Sequence, residues 1–412
     1  MIESSARLHG VEELIDMEQY FVIHAARQSG KTTCLKDLTR RLRTEGKYYA
    51  LYCSLENLQD IADPKEGIPG VVRKIKRALQ FSDLPHKAEF ALEADYEDYT
   101  NVLNTELTRF CISLDKPLVI FFDEADCLSE GAMISFLRQL RDGYNCRSDI
   151  PFLHSVALVG MRNIRDFKVK IRPDSQTLGS ASPFNIVTKS LTLQNFTREE
   201  VAMLYGQHTA DTGQVFEDSA IDLVWEQTQG QPWLVNAIAR EVIVEMLHSD
   251  YTQPVTSEMV EQAIQTIILR RDTHIDSLLE RLKEERVRNV IEPVILGGYV
   301  SPSSEDFLYT RDLGLIRVTK EKTEPANPIY AEVIVRTLNY DMQSELQQRN
   351  PLYQMPRYLK GGHIDMDFLM RDFQQFWREN SEIWRDRFEY KEAAPHLVMM
   401  GFLQRVVNGG GQ

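Results

Sequence analysis

Along the chain, short and fully apolar runs alternate with longer stretches whose apolar positions recur at helical spacing. Tyr20-Phe21-Val22-Ile23 reads as a short buried strand, and Lys31 to Arg43 reads as a helix carrying Leu35, Leu38 and Leu42 along one side. Lys47 to Cys53 predicts a second strand, followed by a largely helical insertion from about Asn57 to Asp115. The run Leu118-Val119-Ile120-Phe121-Phe122 is apolar throughout and ends in Asp123-Glu124, the pattern of a parallel strand buried on both faces. Ala132 to Arg141 is helical, and Phe152 to Val159 and Ile186 to Leu193 supply two more strands. Strands and helices in this order predict an α/β fold built on a parallel sheet.

Beyond Leu193 the pattern becomes mainly helical. Thr197 and Glu200 stand in capping-box spacing at a helix start. In Gln227-Thr228-Gln229-Gly230-Gln231-Pro232-Trp233 the glycine ends one helix and the proline enters the first turn of the next, Leu234 to Met246. Ile275 to Arg288 and Val290 to Leu296 predict helices. Leu315 to Val318 and Ile329-Tyr330 flank a Lys/Glu-rich turn in the manner of a β-wing, with a return to helix from Ala331 to Tyr340. Amphipathic helices at Ile364 to Arg378 and Tyr390 to Val407 follow, with Trp377 and Trp384 as large apolar surfaces. The expected division is 1–193 for the core, 194–265 for a helical lid, 266–342 for a winged helix and 343–412 for a C-terminal helical region.

Composition narrows the class. A length of 412 residues exceeds one ordinary core and implies two to four domains, and the 43% hydrophobic and 26% charged content is that of a globular protein. No apolar run approaches the roughly 18 residues of a membrane span, and Met1-Ile2-Glu3-Ser4 lacks the layout of a signal peptide, so a cytoplasmic protein is expected. Cys34, Cys53, Cys111, Cys127 and Cys146 are odd in number and scattered, without disulfide or zinc spacing; most are expected to be small core residues. A net charge of −14 opposes nonspecific nucleic-acid binding over the whole surface while leaving room for a local basic patch. Val71-Val72-Arg73-Lys74-Ile75-Lys76-Arg77 is such a basic amphipathic segment, either a solvated helix face or a contact for an acidic partner or nucleic acid.

The candidate chemistry lies at two strand ends. Gly30-Lys31-Thr32 closes a loop between a strand and a helix, the context of a phosphate loop, although Ala25 stands where G-x-x-x-x-G-K-[ST] has its first glycine. In that reading the backbone from Ala26, Arg27, Gln28, Ser29 and Gly30 to Thr33 wraps the phosphates of ATP. Lys31 reaches the β and γ phosphates, and the Thr32 hydroxyl binds Mg²⁺. Ala25 is tolerable if its φ is negative or if the backbone does not touch phosphate there. Asp123 would hold Mg²⁺ through water, and Glu124 would orient and deprotonate the attacking water. The plainer alternative is that both acids cap a core strand and open a solvated loop. Arg162, after Gly160-Met161, either lies beside the γ-phosphate or forms a plain salt bridge.

The order of Gly30-Lys31-Thr32, Asp123-Glu124, Gly160-Met161-Arg162 and Gly230-Gln231-Pro232 resembles the AAA-like ATPases of the archaeal-ATPase and STAND kind over about residues 10 to 340. The resemblance implies a P-loop switch, with Arg162 sensing the γ-phosphate, Pro232 lying against the adenine, and a helical lid and winged helix after the core. The C-terminal region resembles the part preceding a PD-(D/E)XK nuclease domain in one bacterial branch. Glu389-Tyr390-Lys391 has E-x-K spacing but opens a helix, so it is taken as coincidence. The resulting expectation is an ATPase that converts Mg-ATP binding and hydrolysis into lid and winged-helix movement. If it forms a homo-oligomer, Arg138 or Arg141 would be the arginine finger, against the alternative of plain solvated arginines. The winged helix would contact DNA or a protein partner, and a nuclease domain would be fused or associated. The competing readings are a nucleotide-gated scaffold and a DNA-binding regulator with little turnover.

Overall fold

The computed structural model describes residues 7–90, 99–160, 187–270, 273–295, 298–319, 322–337, 358–360, 363–387, 399 and 403, and divides the chain into two units. The first holds 1–207 together with Gln231–Trp233. Its elements begin α1 (Val11–Asp16), β1 (Tyr20–His24), α2 (Lys31–Glu45), β2 (Tyr49–Ser54), α3 (Pro64–Gln80) and α4 (Val102–Ser113). They continue β3 (Leu118–Asp123), α5 (Glu130–Cys146), β4 (Ser155–Gly160), β5 (Val187–Thr192) and α6 (Arg198–Thr212), of which the part from His208 groups with the second unit.

The five strands form one parallel sheet in the order β2-β3-β4-β1-β5. Alternation along each strand sends side chains to opposite faces. Tyr20, Val22, Ile120 and Phe122 therefore meet residues of α3, α4 and α5, whereas Phe21, Ile23, Val119 and Phe121 meet α1 and α2. Both faces are covered, which is why β1 and β3 are buried at every position and read as unbroken apolar runs. The register brings the ends together: His24 lies opposite Gly160, and Ser54 opposite Asp123. The His24 ring bridges β1 to β5 through Ser190 and Thr192 hydroxyls, each 3.0 Å away.

The expected strands and helices of this unit are present with shifted ends. α5 is longer at both ends than its apolar stretch, and β4 starts at Ser155 because Phe152 and Leu153 are buried without joining a strand. The capping box is formed reciprocally: Thr197 N–H donates to Glu200 Oε2 at 2.8 Å and Glu200 N–H to Thr197 Oγ1 at 3.2 Å. Cys34, Cys53 and Cys111 are buried, and all five cysteines are free thiols.

The second unit carries α7 (Asp218–Thr228), α8 (Pro232–Arg240), α9 (Ser257–Arg270), α10 (Thr273–Leu282), α11 (Glu285–Ile295) and α12 (Glu305–Asp312). Of α8, Pro232 and Trp233 group with the first unit and the remainder with the second. Pro232 enters the first turn of its helix as expected, but that helix passes into a π segment, Glu241–Met246, instead of running on as α. The single helix expected over Ile275 to Arg288 is two, because the chain turns at Lys283 and Glu284. The hairpin also differs: β6 (Ile316–Val318) pairs antiparallel with β7 (Thr323–Pro325), whereas Ile329-Tyr330 sits in a helix over 328–337. Asn327 starts that helix by accepting the Tyr330 N–H at 2.8 Å, and Arg317 pairs with Glu324 across the hairpin at 2.8 Å. A polar strand held by a charge pair leaves no apolar alternation to read. Met366–Arg387 forms α14, counting 328–337 as α13; it begins two residues after the expected start and runs past Arg378. Tyr390 to Val407 lies outside the described residues but for two positions, and Glu389-Tyr390-Lys391 lies outside them entirely. No helix among the described residues is long and apolar enough to cross a membrane.

The α3–α5 packing is close enough to test. A Cβ on Gly67 of α3 would fall 2.6 Å from the Ala132 Cβ on α5, so Gly67→Ala forces the helices apart at a cost of about 1–3 kcal/mol. Gly206, exposed in α6 with nothing within 4 Å of its would-be Cβ, gains helix propensity as Ala by about 0.5–1 kcal/mol. Urea unfolding of the two variants should move in opposite directions.

Candidate active site

The loop over residues 25–30 turns β1 into α2 and places Lys31 and Thr32 in the first helical turn. Gln28 and Gly30 are left-handed, at φ 58° and 83°. Glycine adopts that conformation without the Cβ penalty, and a Cβ at Gly30 would also approach the Arg7 guanidinium to 3.1 Å. Ala25 has no left-handed φ, and its methyl is 3% exposed in the core shared by β1 and α2. The missing first glycine is accommodated because the side chain turns into the core.

Lys31 is buried, and its ammonium donates to the carbonyls of Ala25 and Ala26 at 3.2 and 3.3 Å, folding the side chain back over the loop. Ser29 is buried with its hydroxyl lacking any hydrogen-bond partner, an orphan that a phosphate oxygen would satisfy. Arg27, Gln28 and Thr33 are exposed, and Ala26 and Thr32 are partly so.

Asp123, at the end of β3, is 1% exposed. Its Oδ2 accepts the Thr32 hydroxyl at 2.7 Å and the Tyr52 hydroxyl at 2.8 Å, and its Oδ1 accepts the Glu124 N–H at 3.1 Å. A helix hydroxyl and a strand-end carboxylate touching beside the phosphate loop form the hard-oxygen set that suits Mg²⁺, which takes only one or two protein ligands when phosphates supply others. Glu124 is half-buried with φ 54°. Burial raises its pKa above the ordinary glutamate value, Asp126, Asp123 and Glu56 add to the rise, and Lys31 opposes it. A carboxylate so placed is a better proton acceptor than a solvated one.

Sequence reasoning missed two residues here. Arg7 is 5% exposed and donates to Ser29 O at 2.7 Å and to Gln194 O at 2.7 Å, with its guanidinium 4.7 Å from the centre of the Phe196 ring. It ties the phosphate loop to the chain beyond β5, a link across 187 positions that no local pattern reveals. Tyr52 was legible only as a strand position; its role follows from β2 lying beside β3. Gln231 groups with this unit and its amide reaches the Gln28 carbonyl at 3.5 Å, beside the buried Pro232. Arg162 lies outside the described residues. Arg138 is exposed on α5, and Arg141 is partly buried there.

Comparison with known proteins agrees with this geometry. The AAA domain family matches residues 15–167, which span the phosphate loop, β3 and β4. No curated protein sequence matches the chain. Among solved structures, the Walker-type ATPase of Pyrococcus abyssi aligns at 14% identity and TM-score 0.52, covering 79% of this chain and 93% of its own. The RuvB Holliday junction branch migration motor of Thermotoga maritima aligns at 14% identity and TM-score 0.41, covering 80% and 92%. The ORC2 protein of Aeropyrum pernix aligns at 14% and 0.41, covering 82% and 92%. Residues 15–167 thus match an AAA domain, and the parallel sheet with its phosphate loop has the fold of an AAA-like P-loop ATPase.

Arg7→Ala should leave the Ser29 and Gln194 carbonyls without their charged donor, lowering stability by about 2–3 kcal/mol. It should also weaken nucleotide binding through a looser loop; thermal melting and titration with a fluorescent ATP analogue report the two effects.

Proposed function

We propose that this protein is a Mg-ATP-dependent switch in which Lys31, Thr32, Asp123 and Glu124 bind and hydrolyse ATP. The observation that carries the reading is the Thr32–Asp123 hydrogen bond of 2.7 Å, which joins the phosphate-loop helix to the acidic strand end with Glu124 next in the chain.

The Ser29 hydroxyl, the backbone N–H groups at the start of α2 and the Lys31 ammonium receive the phosphates, Lys31 giving up its two carbonyl partners to do so. Thr32 and Asp123 hold Mg²⁺, which supplies charge neutralisation on the phosphate oxygens. Glu124 accepts a proton from the attacking water as that water's oxygen bonds to the γ-phosphorus and the bond to the ADP oxygen breaks. Arg162, two positions past Gly160 in sequence, reads the third phosphate, and Pro232 lies against the adenine. Hydrolysis drives rearrangement of a lid (194–265) and a winged helix (266–342), the latter contacting DNA or a protein partner. In an assembly of copies, Arg138 or Arg141 serves a neighbouring site. A scaffold that merely bound nucleotide would not need a half-buried carboxylate in a left-handed turn, which costs about 1–3 kcal/mol to maintain.

Phosphate release should fall to background in both Lys31→Ala and Glu124→Gln, with ATP binding lost only in the former; equal turnover in Glu124→Gln would remove Glu124 from the chemistry. The raised pKa of Glu124 has two pH consequences. Because the base must be ionised, wild-type turnover should decline on acidification with a midpoint above the ordinary glutamate value of about 4.3. The folded state also holds this proton more tightly than the unfolded chain, so its contribution to stability is lost as pH rises through the shifted pKa. Glu124→Gln should therefore melt above wild type at pH 7, with the gap narrowing as the pH falls below that window.

A further inference from the structure

Two ridges of positive charge face each other across the free edge of the sheet. On α2, Lys36, Arg40 and Arg43 recur at i, i+4 and i+7; on α3, Lys74 and Arg77 stand at i and i+3. All five line an open groove of about 770 Å³ between the two helices, floored by β2, and among the described residues Asp83 is its single acidic lining residue. Only part of this charge is paired among the described residues. Arg40 pairs with Asp37 at 3.0 Å, and Arg43 caps the sheet edge by donating to the Ala50 carbonyl at 2.8 Å. Five cations held together repel one another, and in a chain of net charge −14 such a concentration marks a place for a polyanion. Phe81, on the lip of the groove, is 82% exposed at the end of α3.

Arginine forks suit phosphodiesters, and an exposed aromatic ring suits a base that is free to unstack. A duplex keeps its bases stacked inside, and an acidic peptide has no use for the ring. The floor of the groove reaches the nucleotide site directly. The Tyr52 ring lies 5.3 Å from the Lys36 ammonium, and its hydroxyl donates to the Asp123 oxygen that Thr32 also uses. We propose that this groove binds the phosphate backbone of single-stranded nucleic acid, and that Tyr52 is the positioning residue through which its occupancy reaches Asp123. The first half stands on the groove alone; the second rests on the ATPase reading above.

The test is fluorescence anisotropy of a labelled oligo-dT with the full chain across a salt series, without nucleotide, beside phosphate release with and without the same oligomer. Wild type should bind with a steep salt dependence. Lys74→Glu with Arg77→Glu should weaken binding about tenfold or more and flatten the salt slope by about 1.4, roughly 0.7 for each phosphate of a single strand no longer neutralised, with basal ATPase and melting temperature unchanged. Phe81→Ala should weaken binding several-fold at unchanged slope. Tyr52→Phe should bind the oligomer as wild type does while losing stimulation of turnover; retained stimulation overturns the coupling. Unchanged affinity in the charge-reversed double variant overturns the groove. So does equal competition by polyglutamate with no effect of Phe81→Ala, which assigns it instead to an acidic protein segment. Oligomer binding that follows the variants in a wild type without ATP turnover supports the groove and removes the ATPase reading alone.

Discussion

One buried carboxylate holds the working parts of this protein in register. Asp123 is almost fully removed from water and is satisfied from three directions, by Thr32 on α2, by Tyr52 on β2 and by the Glu124 backbone. A charge in that position is tolerable only while each partner is in place, because the cost of an unpaired buried ion reaches several kcal/mol. The helix after the phosphate loop, the outer strand and the turn after β3 are thus tied to a single pair of oxygens. Nothing that moves one of them leaves the other two unaffected.

The backbone around this point is under local strain. Gln28 and Glu124 adopt left-handed φ without being glycine, one on each side of the Thr32–Asp123 hydrogen bond. Such conformations persist when surrounding structure over-determines them. Here the parallel register of β1, β3 and β4 sets the strand ends, and Arg7 clamps the loop from beneath through Ser29 O. The strain has a use: it presents the loop amides and the Glu124 carboxyl at the C-terminal edge of the sheet, where α/β folds place ligands.

Much of the first unit was legible in the sequence for a plain physical reason. Strands buried on both faces must be apolar at every position, so β1 and β3 announce themselves, and Lys31-Thr32 and Asp123-Glu124 follow at their ends. Ala25 fits the φ argument, since only a left-handed residue there would need glycine. What stayed hidden was held by interactions distant in sequence. Arg7 acts on residues 22 and 187 positions away, and Tyr52 acts through a neighbouring strand. The second unit was less legible because its β6–β7 hairpin is polar and held by Arg317–Glu324, and because a turn at 283–284 has no glycine or proline to mark it. The basic run at Val71 to Arg77 was visible, but its meaning depended on α2 presenting a second ridge opposite.

The most direct test of the central claim is to identify the nucleotide that the protein retains. Excess enzyme is mixed with α-labelled ATP and Mg²⁺, trapped on a filter, and its bound label is separated by thin-layer chromatography. The account predicts that wild type retains ADP whereas Glu124→Gln retains intact ATP in similar amount. Intact ATP on the wild type as well would contradict it, leaving a protein that binds nucleotide without cleaving it.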